Sequence, residues 1–506
     1  MTYKPLLKAI CFAVLTAASW CVGQNPFNLY VSPSGDDSNP GTIKRPLKTI
    51  QHAADLAKPG TAVYVRGGVY CEHLKVRSGG SQERGFITFR SQLGERAILD
   101  GSCLDVAQGD DAMVELVNVS FVRLRGFEIR NFRTSDRQSV PWGIRVAGAG
   151  SHIEILQNDV HHIEQNFSGP PEPGANGLGI GVYGTDAATP ISYLVIDANE
   201  VHHLKTGHSE SLVVNGNVTG FRITKNLVHD NNNIGIDVIG FEHTAPDPAV
   251  DRARDGVVSE NKVYDITSRG NLGNEPNSDG IYVDGGTRIL IERNIVHDVD
   301  YGIEMASEHY VGDTSHVIAR NNLVYSCHAA GFAIGGYDSK RGRTEDVAIV
   351  NNTIYKNDTW GTGSGEFLMQ FYLRGNIFKS NIVYVGDHGK VMTSKSAPTD
   401  GVPTVVMDHN LYYSPGGTGA LRGSFDAKAF ESFEQYIKQT RDELSSVFAD
   451  PHFVQPNSGD FHLMRDTPAR GKGENLGPDV VGSQDLDGRP RVQHGRIDIG
   501  CYQTPI

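Results

Sequence analysis

Short segments in which apolar and polar residues alternate run along most of the chain. They are rich in Val and Ile and are bounded by Gly, Asn and Asp. Such segments have no helical period, and an alternation of period two is typical of β-strands. One of them begins Gly-Ile, or Gly-Phe in its last copy, and recurs at Gly143, Gly179, Gly235, Gly280, Gly302 and Gly331. Its second and fourth residues are apolar and should point inward, so its third and fifth residues should face solvent.

A second phrase fixes how these strands are arranged. It consists of Asn, a variable residue, usually Val or Ile, and then His or Tyr, and it recurs every 27 to 41 residues. Its copies begin at Asn158, Asn199, Asn226, Asn261, Asn294, Asn322, Asn352, Asn381 and Asn410. A period of this size indicates one supersecondary unit stacked along an axis. The pattern predicts an all-β parallel β-helix from about residue 28, with the Asn residues in one structural column.

The two ends of such a solenoid need covers, because open sheet edges invite aggregation. Residues 47–58 place Leu, Ile and Ala at helical spacing and stop at Pro59-Gly60, which predicts a capping helix. Near the other end Phe430, Phe433 and Ile437 would share one face of a second helix. Both helices are predicted to serve packing.

The N-terminus predicts export. Lys4 and Lys8 precede an apolar run over 9–18, and small residues follow near Gly23, as in a secretory signal peptide. We therefore expect a soluble, secreted or periplasmic protein with no membrane span. The predicted organisation is a signal peptide at 1–23 and a single catalytic domain at 24–506, with cap regions at 24–60 and 415–506.

Cysteines and charge narrow the environment and the partners. Cys71 and Cys103 are 32 residues apart, about one coil. In an oxidising compartment they could form a disulfide, and two buried free thiols are the equal alternative. The net charge of −13 argues against nucleic acid and against anionic membrane surfaces as partners. A monomer acting on a polysaccharide or oligosaccharide is expected.

Three consecutive coils carry acids at outward positions of the Gly-Ile segment. Asp237 lies in the first coil, Tyr282 and Asp284 in the second, and Glu304 in the third. Stacking would place Asp284 diagonal to both other acids. Like charges on adjacent strands are destabilising unless something compensates, which favours a functional role for these acids. Glycosidases use two carboxyls ~5–5.5 Å apart to retain configuration or ~6.5–9.5 Å apart to invert it. Asp284, Glu304 and Asp237 are therefore the predicted catalytic residues.

Insertions at 164–177, 241–256 and 267–279 flank these strands and should form the walls of a cleft. Predicted substrate contacts are Tyr282, Glu242, His243, Glu308, His309, Asp279 and Trp142. The pairs Glu242-His243 and Glu308-His309 offer possible metal ligands, but no closely spaced second His accompanies them. No metal site and no cofactor are expected for a hydrolase.

The segments Tyr30-Val-Ser-Pro-Ser-Gly-Asp-Asp and Pro59-Gly-Thr-Ala-Val-Tyr-Val-Arg, with the later Asp450-Pro-His-Phe-Val, resemble secreted right-handed parallel β-helix proteins. The resemblance implies that fold and a carbohydrate-active enzyme. Asp284-Gly-Gly-Thr-Arg-Ile-Leu-Ile-Glu-Arg-Asn, running on to Glu304, resembles the catalytic stretch of the β-helix β-xylosidases and related glycoside hydrolases. That likeness implies Asp284 as nucleophile and Glu304 as acid/base.

Two alternatives stay open. A polysaccharide lyase of the pectate or uronate type needs a cationic base, and Ca²⁺ held by Asp237, Asp279 and Asp284 would neutralise the uronate. Its base could come from the insertions, which contain Lys205, Arg252, Arg254 and Arg269. The strand face over 235–304 carries no Lys or Arg, which favours the hydrolase. A non-catalytic carbohydrate-binding protein is the third class, and the stacked acids argue against it.

Overall fold

The chain winds into a parallel β-helix built from three long sheets, as the repeat predicts. A computed structural model describes residues 27–169, 175–270, 275–398, 401–440 and 442–504. The predicted signal peptide at 1–23 lies outside the described residues. In the part of the chain that is described, no helix is both long and apolar enough to cross a membrane.

Successive coils contribute one strand to each sheet, and neighbouring strands along each stack are parallel, except for the last pair of the second sheet. The first sheet contains Asn28–Val31, Ala62–Val65, Ile87–Ser91, Val122–Arg125, Gly150–Leu156, Ile191–Asp197, Val218–Thr224, Arg254–Ser259, Thr287–Glu292, Ile318–Arg320, Ala348–Val350, Asn376–Lys379 and Val405–Asp408, with the short strands Thr314–Ser315, Thr344–Glu345 and Leu373–Arg374 beside it. The second sheet contains Leu74–Val76, Gly109–Val117, Ser139–Gly148, Leu178–Gly184, Glu210–Gly216, Ile234–Ile239, Asp279–Asp284, Tyr301–Ala306, Ala330–Ile334, Gly365–Met369, Lys390–Ser394, Arg422–Phe425 and Lys428–Phe430. The third sheet contains Gly68–Tyr70, Ala97–Asp100, Phe127–Thr134, Asp159–Gln165, Glu200–His202, Leu227–Asn231, Lys262–Ile266, Ile295–Val299, Leu323–Tyr325, Thr353–Tyr355, Ile382–Tyr384, Leu411–Tyr413 and Val447–Phe448.

The remaining elements are few and short. They are the hairpin Phe453–Gln455 with Asp460–Leu463, the α-helices Ile50–Leu56, Phe433–Thr440 and Pro478–Val481, and the 3₁₀-helices Gly101–Cys103, Thr418–Ala420 and Pro456–Ser458.

The core is a set of stacked apolar columns inside the coil. In the second sheet one inward column reads Val182, Val214, Val238, Val283, Met305 and Ile334 along successive pairs. All six side chains are fully buried. Because each strand repeats its apolar positions in register, the outward positions of the same strands are also held in register.

The predicted Asn column is confirmed. From Asn158 to Asn381 each buried side-chain amide donates to the Oδ1 of the next Asn in the column. The distance from Nδ2 of Asn226 to Oδ1 of Asn261, for example, is 3.0 Å. The same amide also donates to a backbone carbonyl of the preceding coil, as Asn294 does to Val258. Asn therefore satisfies buried backbone groups at the bend of every coil, which explains why the chain repeats it.

Replacing one rung of this column should weaken the whole fold. In Asn294→Ala the backbone N–H of Asn261 and the carbonyl of Val258 lose their partner inside the protein. Each buried group left unpaired costs about 1–3 kcal/mol, so we expect a loss of about 3–5 kcal/mol. Urea unfolding measures it, with the exposed Asn457→Ala as control. Equal stability of the two variants would contradict a structural role for the column.

The N-terminal end is closed as predicted, over a shorter span. Helix Ile50–Leu56 starts after Thr49, whose side chain accepts from the His52 N–H at 3.2 Å, and it buries Ile50, Ala53 and Ala54. In the next turns of chain Cys71 and Cys103 are bonded in a disulfide, with 6.2 Å between their Cα atoms. Of the two alternatives for these thiols, the structure therefore has the disulfide.

At the other end helix Phe433–Thr440 buries Phe433 and Tyr436 against the last coils. The helical face predicted to include Phe430 is wrong in that residue. Phe430 ends the antiparallel strand Lys428–Phe430 and reaches the same core from there.

Residues 449–504, here called the strap, turn back along the side of the helix. Phe453, Phe461 and Ile499 pack on outward apolar residues of the third sheet, including Leu323 and Ile382. Backbone bonds join the two parts, such as Gly500 N–H to the Ser380 carbonyl at 2.9 Å. The strap thus covers the outside of several coils and leaves the second sheet's outer face clear for the site below.

Candidate active site

A cavity of about 620 Å³ opens on the outer face of the second sheet. Its lining contains seven acidic side chains, namely Glu210, Asp237, Glu242, Asp279, Asp284, Glu304 and Glu308. Tyr282, Tyr301 and Tyr337 add rings, and Gln370 and Lys395 complete one side. Seven of the ten residues predicted from the sequence as catalytic or substrate-binding therefore lie at one place.

The strand register produces the predicted diagonal. Asp237 pairs with Tyr282, and Tyr282 pairs with Glu304 on the next coil. Asp284 lies two residues beyond Tyr282 on the same face. With coils ~4.8 Å apart and a rise of ~3.3 Å per residue, its Cα lies roughly 8 Å from those of Asp237 and Glu304.

The alternation pattern predicted that these acids face open solvent, and this prediction is wrong. Asp237, Asp284 and Glu304 are only 2%, 5% and 8% exposed. Loop residues such as Asn277 and Glu308 rise around the strand face and line the cavity with them. The insertions predicted at 241–256 and 267–279 thus contribute Glu242 and Asn277 to its walls.

Asp284 is held by two donors. Its Oδ1 accepts the backbone N–H of Glu308 at 2.8 Å, and its Oδ2 lies 3.1 Å from Nε2 of His309. Burial lowers the pKa of His309, but the bond to Asp284 outweighs it, so the pKa of His309 is raised. The contact with His309 therefore positions the Asp284 carboxyl group.

Glu304 lies in the opposite environment. Burial and the negative charge of Asp284, opposed by a hydrogen bond with Asp279, raise the pKa of Glu304 to about 7. Its Oε1 accepts from Nε2 of Gln370 at 2.9 Å, and the Gln370 amide oxygen lies 3.4 Å from Nζ of Lys395. This chain of contacts fixes Oε1 of Glu304 in the wall of the cavity.

The other deep acids are pushed toward their neutral forms. Burial, reinforced by the charge of Glu210, raises the pKa of Asp237 well above its usual range. Burial does the same for Asp279, next to Glu304. Burial and the charge of Asp284 raise the pKa of Glu308 to about 7. The cavity therefore groups several carboxyls with raised pKa values around Asp284, which accepts two hydrogen bonds.

Burying these acids should make stability depend on pH. Burial and the charge of Glu242 raise the pKa of Glu210 to about 8. The folded state then holds a proton that the unfolded chain releases above its ordinary pKa near 4.5. Stability is therefore fully present below about pH 4.5 and falls as pH rises toward 8. Glu210→Gln should gain on the order of 2–4 kcal/mol over wild type at pH 8 and almost nothing at pH 4.

Urea unfolding at the two pH values measures this gain, with the exposed Glu83→Gln as the matched control. A gain of the same size at pH 4 would show that the effect comes from packing rather than from the carboxyl's charge.

Three of the predicted contacts are not part of the cavity lining. His309 reaches the site only through its contact with Asp284. His243 is exposed and its backbone N–H donates to Asp251. Trp142 lies on earlier coils of the same sheet, is 3% exposed, and packs with Leu178 and Val213. Its indole N–H donates to Asp110 at 3.3 Å, so the ring is used for packing.

The cations that the sequence suggested for a lyase have other roles. Arg252 donates to the carbonyls of Gly285 and Gly286, and Arg254 donates to Asn217. Lys205 binds Asn166, and Arg269 stacks over the ring of Trp360 at 4.8 Å. Among the described residues that line the cavity, Lys395 supplies the one ammonium group.

Metal ligation is possible at two places. Asp279 Oδ1 is buried and has no hydrogen-bond partner within the described ranges, so it fits a cation's need for oxygen ligands. Elsewhere Asp159, His161 and His202 bring ligand atoms within 4.8 Å of one another. There Arg96 already pairs with Asp159 at 2.7 Å, which counts against a second cation.

Sequence comparison identifies the fold family. A family model described as a right-handed beta helix region matches residues 142–427, more than half of the chain, and a Pel9A-like right-handed beta helix region matches residues 29–169. The chain therefore belongs to the right-handed β-helix family, and the predicted fold class is confirmed with its handedness.

Particular relatives follow from the same comparison. The uncharacterized protein YwoF of Bacillus subtilis (strain 168) is 36% identical over 442 residues, which cover 87% of this chain and 92% of YwoF. Pectate lyase PEL9 of Emericella nidulans is 30% identical over 133 residues, 26% of this chain and 32% of that protein.

Two solved structures superpose on the chain at low identity. Pectate lyase Pel9A superposes with a TM-score of 0.49 at 12% identity, covering 95% of this chain and 97% of that chain. XylC in complex with xylose superposes with a TM-score of 0.48 at 14% identity, covering 95% and 98%.

Proposed function

We propose that the protein is an enzyme that hydrolyses glycosidic bonds of a polysaccharide or oligosaccharide with two carboxyl groups. The observation that carries this proposal is the opposite environment of Asp284 and Glu304. One is a carboxylate fixed by two donors, and the other is a buried acid whose pKa is raised to about 7. Paired carboxyls pushed into different protonation states are the means by which glycosidases separate acid from nucleophile or base.

In the proposed mechanism Glu304 gives its proton to the leaving glycosidic oxygen. Asp284 attacks the anomeric carbon, or activates a water that does so, with its carboxylate oriented by His309 and the Glu308 N–H. Asp237 stays neutral beside them, so it adds no further negative charge that would change the pKa values of Asp284 and Glu304. The reaction uses no cofactor.

The setting of this activity is part of the proposal. A bonded Cys71–Cys103 pair supports an oxidising compartment, outside the cytoplasm, as the predicted signal peptide implies. The relatives include a pectate lyase, and the fold is shared with XylC in complex with xylose. A glycan substrate fits these observations, and a monomeric enzyme is part of the proposal.

Product analysis tests the reaction class directly. The purified protein is incubated with neutral and with uronate-containing polysaccharides, and reducing ends and ultraviolet absorbance are followed together. Hydrolysis gives new reducing ends without the absorbance of an unsaturated uronate. Absorbance that appears with the reducing ends and is lost with a chelator would refute the hydrolase and establish a lyase.

A lyase is the second candidate, and specific observations favour it. A Pel9A-like region matches residues 29–169, and Lys395 lines the cavity as a potential base. Asp237, Asp279 and Asp284, the acids that the sequence suggested as Ca²⁺ ligands, all line the cavity, and such an ion when bound would neutralise the carboxyl of a uronate. The unpaired Oδ1 of Asp279 is compatible with that role.

Lys395→Met separates the two candidates. The charge of Lys395 lowers the pKa of Glu304, so its removal should raise that pKa further. For a hydrolase the alkaline limb of kcat/KM should move to higher pH while cleavage is retained. For a lyase that uses Lys395 as base, the rate should fall ~10²–10⁴-fold at every pH. Lys428→Met, an exposed lysine on the last strand of the same sheet, is the control.

A further inference from the structure

A second cavity of about 430 Å³ lies on the same face of the second sheet, toward its C-terminal end. Lys390 and Arg422 line it together with His388. Two acids are also present, Asp358 and Glu431. Cations and acids are thus equal in number here, whereas acids dominate the first cavity.

The two cations of this second cavity are open to a ligand. Asp358 is 2% exposed and its oxygens already accept from Thr362, Gly363 and Gly365. Glu431 is exposed at the rim. Arg422 donates to the His388 carbonyl at 3.1 Å, and no ion pair joins Lys390 or Arg422 to an acid within the described residues.

One column of the sheet joins the two cavities. Asp279 pairs with Tyr301, Tyr301 with Ala330, and Ala330 with Gly365. The pair Phe367 with Met392 brings Gly365 beside Lys390, which pairs with Arg422. From Asp279 to Lys390 the column crosses four coil spacings, or ~19 Å.

The middle of this column is a buried apolar cluster. Ala330 and Ala333 are fully buried and pack with Leu368 and the half-buried ring of Tyr301, which also lines the first cavity. The cluster carries no charge, so nothing in it would repel or bind an anion between the two cavities. Because both cavities open on the outer face of one sheet, an extended chain of sugars that runs along the coils would contact both at once.

We propose that the second cavity binds an anionic group, a uronate carboxylate or a sulfate ester, on a glycan that lies along this column. The inference rests on the proposed function and names its substrate class. The sugar at Asp284 and Glu304 is uncharged, because a carboxylate there would meet the acids of the first cavity. The charge lies several sugars away, over Lys390 and Arg422.

Binding measurements test this without relying on cleavage. Calorimetry in the Asp284→Asn background compares a hexa-uronate, its methyl ester, a sulfated galacto-oligosaccharide and a neutral xylohexaose. We expect the two anionic probes to bind more tightly than the methyl ester and xylohexaose, with affinity that weakens as salt rises. The ratio of the Kd values of the hexa-uronate and the sulfated oligosaccharide shows whether the second cavity prefers a carboxylate or a sulfate ester.

The variant Lys390→Met/Arg422→Met should weaken binding of the preferred anionic probe about tenfold and leave the methyl ester's Kd as it was. Lys438→Met, an exposed lysine on helix Phe433–Thr440, is the matched control, and circular dichroism confirms folding. Anionic and neutral probes of equal affinity, or an unaffected double variant, would overturn the proposal.

The outcomes also separate this inference from the proposed function. Charge-dependent binding without cleavage of any glycan by wild type would leave the second cavity standing and refute the hydrolase. Cleavage without charge-dependent binding would do the reverse.

Discussion

Changing Asp284 to Asn is expected to reduce glycoside cleavage on the order of 10⁴-fold on all substrates. The substitution keeps the size of the side chain, and its carbonyl oxygen can still accept the Glu308 N–H. It removes the negative charge that attacks the anomeric carbon or activates water, and it removes the ion pair with His309. Among the described residues of the cavity, no other carboxyl group accepts hydrogen bonds from the Glu308 N–H and from His309.

The measurement is kcat on an activated aryl glycoside and on an unactivated oligosaccharide. Both should fall together, because cleavage of either substrate requires attack on the anomeric carbon, whatever the leaving group. Azide restores activity on the aryl glycoside if the enzyme retains configuration, because the small anion takes the place of the missing carboxylate. The control is Asp298→Asn, an acid beside His297 on the third sheet. A folded Asp284→Asn protein with wild-type rates would place the chemistry elsewhere on the helix.

Changing Glu304 to Gln is expected to act selectively. Loss of proton donation costs ~10²–10⁴ in rate, but only where the leaving group needs the proton. Oligosaccharides should lose the full amount, whereas aryl glycosides with good leaving groups should lose little in their first step. Gln can still accept from Gln370 Nε2 at the same position, so the geometry of the site is preserved.

The pH profile gives a second readout of the same change. Because the pKa of Glu304 is raised to about 7, activity of the wild type should fall as pH rises through that value. The remaining activity of Glu304→Gln should lack this limb. An equal loss on both classes of substrate, with the alkaline limb intact, would contradict Glu304 as the acid.

The sequence predicted the scaffold well because the scaffold is periodic. The Asn phrase marks one bend per coil, and its amide has the same buried task each time. The Gly-Ile segments mark strands of the second sheet, so the register between Asp237, Tyr282 and Glu304 followed from counting. Periodicity could not show that loops would close over these residues.

Three of the cavity residues that were missed, Glu210, Gln370 and Lys395, come from coils without the Gly-Ile phrase. Glu210 begins the strand Glu210–Gly216, whose sequence Glu-Ser-Leu-Val-Val-Asn-Gly has no such marker. Gln370 and Lys395 follow the strands Gly365–Met369 and Lys390–Ser394, which lack it too. The contacts of Gln370 with Glu304 and of Lys395 with Gln370 depend on side chains that reach across coils, which a search of consecutive repeats does not cover.

Trp142 is the opposite case, a residue that was predicted to contact substrate but lies outside the cavity lining. It directly precedes a Gly-Ile segment, and an aromatic residue there suits either a sugar or a neighbouring coil. The adjoining Leu178 and Val213 settle the matter by packing around the ring. Pairing of that kind depends on three coils together and cannot be read from one.

The strap has a consequence for how the protein is made. During synthesis the coils up to residue 413 leave the ribosome before the strap does, and at ~5–20 residues per second the delay is on the order of 10 s. For that interval Leu323, Tyr355 and Ile382 present a bare apolar stripe to other nascent chains and to chaperones. Once seated, the strap must detach before the last coils can peel away, so the finished protein should unfold slowly from that end.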